Sequence, residues 1–251
     1  MDRIDLSNKA YRVRKFLGAD GQSPVDLFKL VQGIEDLTLV FYPLGKNISG
    51  VCYKGASSRV IAVNSRMSLG RQRFSLAHEL YHLFFDEAKE SQVSRMAIGV
   101  GDANEKCADQ FASYLLMPPA SLSESLEAIR AKSREDLLGV EDVIRLEQYY
   151  GLSHKAMLYR LVSDGILTVQ EAAAMETGVM GIAARLGYET SLYRPAPEEK
   201  ERMVLGRYLA LSEKLLEQEC ISRGKYEELL LDAFREDLVF GDLGEEGIPL
   251  D

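Results

Sequence analysis

The chain has 251 residues, 46% of them hydrophobic, enough to bury a full core as one large domain or two small ones. Its formal net charge of −9 disfavours nonspecific binding to nucleic acid. Cys52, Cys107 and Cys220 are odd in number and far apart, which suits reduced intracellular thiols; no signal-like start and no membrane-length apolar run is visible, so a cytoplasmic protein without membrane contact is expected.

Residues 5–17 and 24–35 read as helices, the second capped by Ser23-Pro24. Three strand-like segments follow, Leu37 to Leu44, Ile48 to Tyr53 and Arg59 to Val63, with turns at 45–47 and 55–58. They predict a small three-stranded sheet, one edge of which can pair with an extended peptide. The stretch 68–89 has no proline, and Phe74, Ala77, Leu80, Tyr81 and Phe84 recur at helical steps. Leu76, Leu83 and Phe85 add further apolar faces, so this helix is buried.

That helix carries His78-Glu79-Leu80-Tyr81-His82, an H-E-x-x-H motif holding two of the three histidines. Imidazoles four residues apart lie about 40° apart around a helix, so both reach one metal ion. Glu79 then points beside the metal, where a water would sit. Buried imidazoles need partners, and metal ligation supplies one.

Catalytic zinc takes three protein ligands and keeps one position open. Glu105 lies 23 residues after His82, at the start of a helix running to Leu116, with Ala108, Phe111, Ala112 and Leu115 as its buried stripe and Pro118-Pro119 as its stop. Spacing alone leaves two readings of Glu105 open, a third ligand or a solvated helix-start carboxylate. Asp109, one turn on, can accept the second ring N–H of a metal-bound histidine and fix its tautomer; Asn104 is placed with it in a supporting role. Cys107 is about 200° around the helix from Glu105 and reads as a buried structural thiol facing away from the site.

Three stretches together resemble the ImmA/IrrE family of metallopeptidases. They are Val60-Ile61-Ala62-Val63-Asn64-Ser65 leading into Arg71-Gln72-Arg73-Phe74-Ser75-Leu76-Ala77-His78-Glu79-Leu80, then Glu105-x-x-Ala108-Asp109-x-Phe111-Ala112, then Leu115-Leu116-Met117-Pro118. The likeness covers residues 25–165. It implies a gluzincin-like site with one zinc per chain, Glu105 as the third ligand, and a partner helix-turn-helix repressor as substrate. The chain departs from the family at Tyr81, where a small residue is usual, and at Asp109, where Asn is common. Aspartate there is similar to the E-x-x-x-D pattern of thermolysin-like enzymes.

Residues 141–150 and 153–163 resemble a helix-turn-helix, with Ser153 as the second N-cap. Arg145, Lys155 and Arg160 face Glu141, Asp142, Glu147 and Asp164, so a plain helical hairpin, not a DNA reader, is expected. Tyr149, Tyr150 and His154 are candidate oxyanion donors. The competing reading makes the tyrosines core residues and His154 an exposed first-turn residue. Farther on, helices are expected over 198–220 and from about 225 to 240. Residues 232–251 hold seven acids against Arg235 alone, either a solvated tail or a partner-binding or autoinhibitory element.

The whole reads as an α+β, mostly helical protein: a metallopeptidase domain over 1–170 and a helical region with an acidic tail over 171–251. The predicted function is a zinc-dependent endopeptidase with Glu79 as general base. The rivals are a non-catalytic binding module or toxin–antitoxin component with a structural zinc site, and a transcription regulator acting through 141–165.

Overall fold

The computed structural model describes residues 2–86, 90–131 and 138–241. Helix α1 (Arg3–Phe16) starts at Asp2, whose carboxylate accepts the Ile4 and Asp5 N–H groups. The predicted helix over 24–35 is shorter than expected. It is a single turn, α2 (Leu27–Leu30), continued by a 3-10 turn (Val31–Gly33), after which Ile34 is already extended toward the sheet.

The sheet has five strands, not three: β1 (Leu37–Tyr42), β2 (Ile48–Lys54), β3 (Arg59–Asn64), β4 (Ser91–Arg95) and β5 (Met203–Gly206), in the order β4-β2-β3-β1-β5. β1 and β3 run parallel; the other pairs are antiparallel. β4 escapes a periodicity search because it is an edge strand, whose only large apolar side chain, Val93, is half exposed. β5 lies where one long helix over 198–220 was expected. Thr38 to Phe41 pair with it, so a segment beyond residue 171 completes the sheet.

Helix α3 (Leu69–Phe85) packs on β2 and β3, with Phe74, Leu76, Ala77 and Leu80 fully buried. Its one glycine has a packing reason. A Cβ at Gly70 would sit 2.5 Å from the Ser153 nitrogen, so glycine lets α3 start against the turn between two later helices. Helix α4 (Ala103–Leu116) lies against α3 on one side and α1 on the other. Its last carbonyls are held by two buried arginines. Arg14 of α1 donates to the Leu115 carbonyl, and Arg160 donates to those of Ser113 and Met117.

Helices α5 (Pro119–Arg130), α6 (Val140–Tyr150) and α7 (His154–Ser163) follow, α7 capped by the Ser153 hydroxyl as the sequence predicts. Arg160 of α7 is therefore committed to the core, and Arg145 of α6 pairs with Glu141 and Asp142. Short helices α8 (Val169–Ala174) and α9 (Val179–Arg185) precede β5. The predicted helix from 225 to 240 is instead two, α11 (Arg223–Asp232) and α12 (Glu236–Phe240), after α10 (Arg207–Glu217). The break falls at Phe234, which has φ of 58°. Residues 242–251 of the acidic tail lie outside the described residues. No helix among the described residues is long and apolar enough to cross a membrane.

Candidate metal centre

The H-E-x-x-H stretch occupies the buried middle of α3, and Glu105 stands in the first turn of α4 beside it. His78 Nε2 and His82 Nε2 are 3.1 Å apart, and the Glu105 oxygens lie 3.4 Å from the first and 3.3 Å from the second. The corners of a tetrahedron with bonds of about 2.1 Å are about 3.4 Å apart. The three donors thus stand where three ligands of one tetrahedral ion belong. Gln92 on β4 donates to Glu105 Oε1 at 2.7 Å and steadies the carboxylate.

Each histidine is held from behind. His78 Nδ1 lies 2.8 Å from Asp109 Oδ1, while the other Asp109 oxygen accepts the Gly99 N–H at 2.6 Å. A carboxylate on Nδ1 keeps the proton there and leaves the Nε2 lone pair for a metal. His82 Nδ1 lies 3.3 Å from Asp86 Oδ2, which also accepts the Asn104 amide at 2.9 Å. Asn104 therefore supports the site through Asp86. Sequence reading missed Asp86, although its position one turn after His82 was the available signal.

Charge follows the same pattern. Burial works against the His78 cation, but hydrogen bonding to Asp109 and Glu105 and the nearby Glu79 outweigh it and push the imidazolium up to about 10. Burial raises Glu105, yet His78 and His82 bring it well below the usual carboxylate range. Glu79 is fully buried and moves the other way: burial raises it, against the opposing pull of His78 and His82. Neither Glu79 oxygen has a hydrogen-bond partner among the described residues. Ser94 on β4 lies close enough to favour the carboxylate but lacks hydrogen-bond geometry. Unpartnered buried carboxylate oxygens beside a metal-type donor set suit a group that handles a water.

Tyr81 fills space without entering the donor set. Its ring packs on Phe85 and Phe111 and stands edge-on to His82. Cys107 is partly buried on α4 and outside the donor group, with Tyr81 as a neighbour. The Tyr150 hydroxyl is engaged by Ser121 and Ser125, and half-exposed Tyr149 stacks edge-on against it. His154 corrects one expectation: it is buried, not exposed. Its Nδ1 meets Glu147 at 2.5 Å and its Nε2 meets the Met175 carbonyl at 3.0 Å. The α6–α7 turn folds its ring back onto α6, where the buried Glu147 carboxylate needs a partner.

The profile of the IrrE N-terminal-like domain matches residues 35–162, more than half of the chain, and takes in every residue of this centre. Among curated proteins, the radiation response metalloprotease IrrE of Deinococcus deserti is 26% identical over 191 residues. That match covers 69% of this chain and 66% of the relative, just under two thirds of its length.

Proposed function

The chain belongs to the IrrE N-terminal-like domain family, and from that premise we propose that it is a zinc-dependent endopeptidase with a regulatory role. His78, His82 and Glu105 would hold the ion. A zinc ion held there would supply an acidified water and Lewis-acid polarisation of a substrate carbonyl. Glu79 takes the proton from the attacking water and passes it to the leaving amine. Asp109 and Asp86 hold the two imidazoles in the ligating tautomer.

The observation that carries this reading is Glu79, fully buried with both oxygens unpartnered beside the donor set. A structural metal site has no use for such a group. β4 is an edge strand of the sheet, and a sheet edge is where an extended peptide can pair. The substrate we propose is a helix-turn-helix repressor, on the strength of the family resemblance, and the name of the Deinococcus relative favours a stress response.

The test is to incubate the zinc-loaded protein with a helix-turn-helix regulator encoded beside it and to map fragments by mass spectrometry, with a chelator control. One metal-dependent cut is expected. Stable binding of an uncut regulator would instead favour the non-catalytic module.

A further inference from the structure

β4 sends two side chains toward the metal centre, and both meet carboxylates. Residues two apart on a strand share a face. Gln92 donates to Glu105 Oε1 at 2.7 Å, and Ser94, two residues on, lies against Glu79. The register explains how Ser94 arrives there. It pairs with Gly50 of β2, and the space that a Gly50 Cβ would need is filled by the Glu79 carboxylate. Directly opposed residues on paired strands point to one face, with Cβ positions about 5 Å apart. Ser94 therefore borders the same carboxylate from the neighbouring strand.

Ser94 is the one buried residue of β4; the other four positions are partly or wholly exposed. Alanine would meet the demand for a small side chain there. A hydroxyl buried at such a place needs an acceptor. Ser94 Oγ has no hydrogen-bond partner among the described residues, and neither has either oxygen of Glu79. One donor and two acceptors, all buried and unpartnered, thus stand side by side. A serine Oγ moves between staggered positions about Cα–Cβ, and its proton turns about the C–O bond. Rotation about these two bonds is what would join the pair.

We propose that Ser94 is the positioning residue of Glu79: its hydroxyl donates to one carboxylate oxygen and leaves the other for the attacking water. The proposal rests on the reading of Glu79 as general base. A carboxylate without hydrogen bonds can turn about its Cγ–Cδ bond, and holding one oxygen fixes the plane in which the other accepts a proton. Gln92 steadies Glu105 from the same strand. One short edge strand would then set both the ligand carboxylate and the base. Ser94 is outside the donor group, so its loss should appear in kcat and not in KM or zinc content.

The experiment has two arms, both on the zinc-loaded full chain. In the first, Ser94→Ala should lower kcat for regulator cleavage about ten-fold or more, with KM and zinc content unchanged. Ser94→Thr keeps the hydroxyl and should recover most of the rate. Alanine is the smaller residue and introduces no clash, and melting temperatures report the folding of both variants. The second arm is a urea-unfolding cycle of Ser94→Ala, Glu79→Ala and the double variant. Ser94→Ala should raise the unfolding constant about ten-fold when Glu79 is present, the usual worth of a hydrogen bond to an ionised partner. It should change it by less than about two-fold when Glu79 is already alanine. Wild-type kcat in Ser94→Ala overturns the proposal, and so do stability losses that simply add. Cleavage by Glu79→Gln at the wild-type rate would sink the base reading and this role with it, while the unfolding cycle, which uses no cleavage, still judges the contact.

Discussion

Gly50 and Glu79 share a boundary that admits no side chain. A Cβ at Gly50 would sit 2.5 Å from Glu79 Oε1, 2.9 Å from Cγ and 3.0 Å from Cδ. Gly50 pairs in register with Ser94 on β4, so the sheet passes the carboxylate at its narrowest point. Gly50→Ala should therefore displace Glu79 and destabilise the protein by about 1–3 kcal/mol, the usual cost of overpacking. Cleavage should fall while zinc content is kept. Adding Glu79→Ala should restore part of the lost stability, because the clash is with that side chain. Urea titrations of the two single variants and the double variant check this, and additive losses would contradict it.

The carboxylates behind the histidines should tune the metal. Asp109→Ala and Asp86→Ala should each weaken zinc binding about 10–100-fold, as loss of such partners generally does. Asp109→Asn should lose less, since its one amide oxygen can still accept from His78 Nδ1, although the amide nitrogen in the other position cannot accept the Gly99 N–H. Competition titration with a chromophoric chelator gives the affinities, and equal losses for Asn and Ala would show that orientation is not the function of Asp109.

Metal uptake should release protons. In the metal-free protein His78 is held protonated up to about 10, above its ordinary 6.5. The stability this charge gives is complete below the ordinary value and is lost as pH rises through about 10. Glu105 is lowered, so its share is present above the usual carboxylate range and is lost only as pH falls below it. A ligating imidazole must be unprotonated, so near neutral pH zinc has to expel the His78 proton. Zinc affinity should rise by about one decade per pH unit for that proton. Titration calorimetry in buffers of different ionisation enthalpy measures the release directly; affinity that is flat from pH 6 to 8 would refute the charge assignment.

His154 should matter for folding and not for zinc. It is the partner of a fully buried carboxylate, Glu147, whose other oxygen accepts from the Tyr193 hydroxyl at 2.9 Å. His154→Ala strands that carboxylate and should cost about 3 kcal/mol. Zinc stoichiometry should stay unchanged, and Glu147→Gln in the same chain should recover part of the loss. Loss of cleavage with full stability would instead return His154 to the oxyanion-donor reading.

How far the sequence is legible depends on what each feature requires. α3 announces itself, because helical period and the H-E-x-x-H spacing are local properties; Glu105 in the first turn of α4, 23 residues after His82, is singled out only by the family resemblance. β4 does not, because an edge strand with one large apolar residue carries almost no alternation. β5 is four residues between a 3-10 turn and α10, too short to interrupt a helical pattern. Asp86 lies just past the apolar run that marks α3, and its role shows only when Asn104 is brought beside it. Gly50 is silent in one dimension, since the contact that demands glycine is with a residue 29 positions later. The burial of His154 needs the α6–α7 turn to bring it onto Glu147.

On the reading proposed above, Glu79 performs chemistry at a metal held by His78, His82 and Glu105. The most direct measurement compares zinc content and regulator cleavage for the wild-type chain and for Glu79→Gln, purified in parallel. One zinc per chain is expected in both, with a loss of cleavage by several orders of magnitude in the variant, because the amide cannot accept the water's proton. Cleavage by Glu79→Gln at the wild-type rate, with zinc still bound, would contradict it.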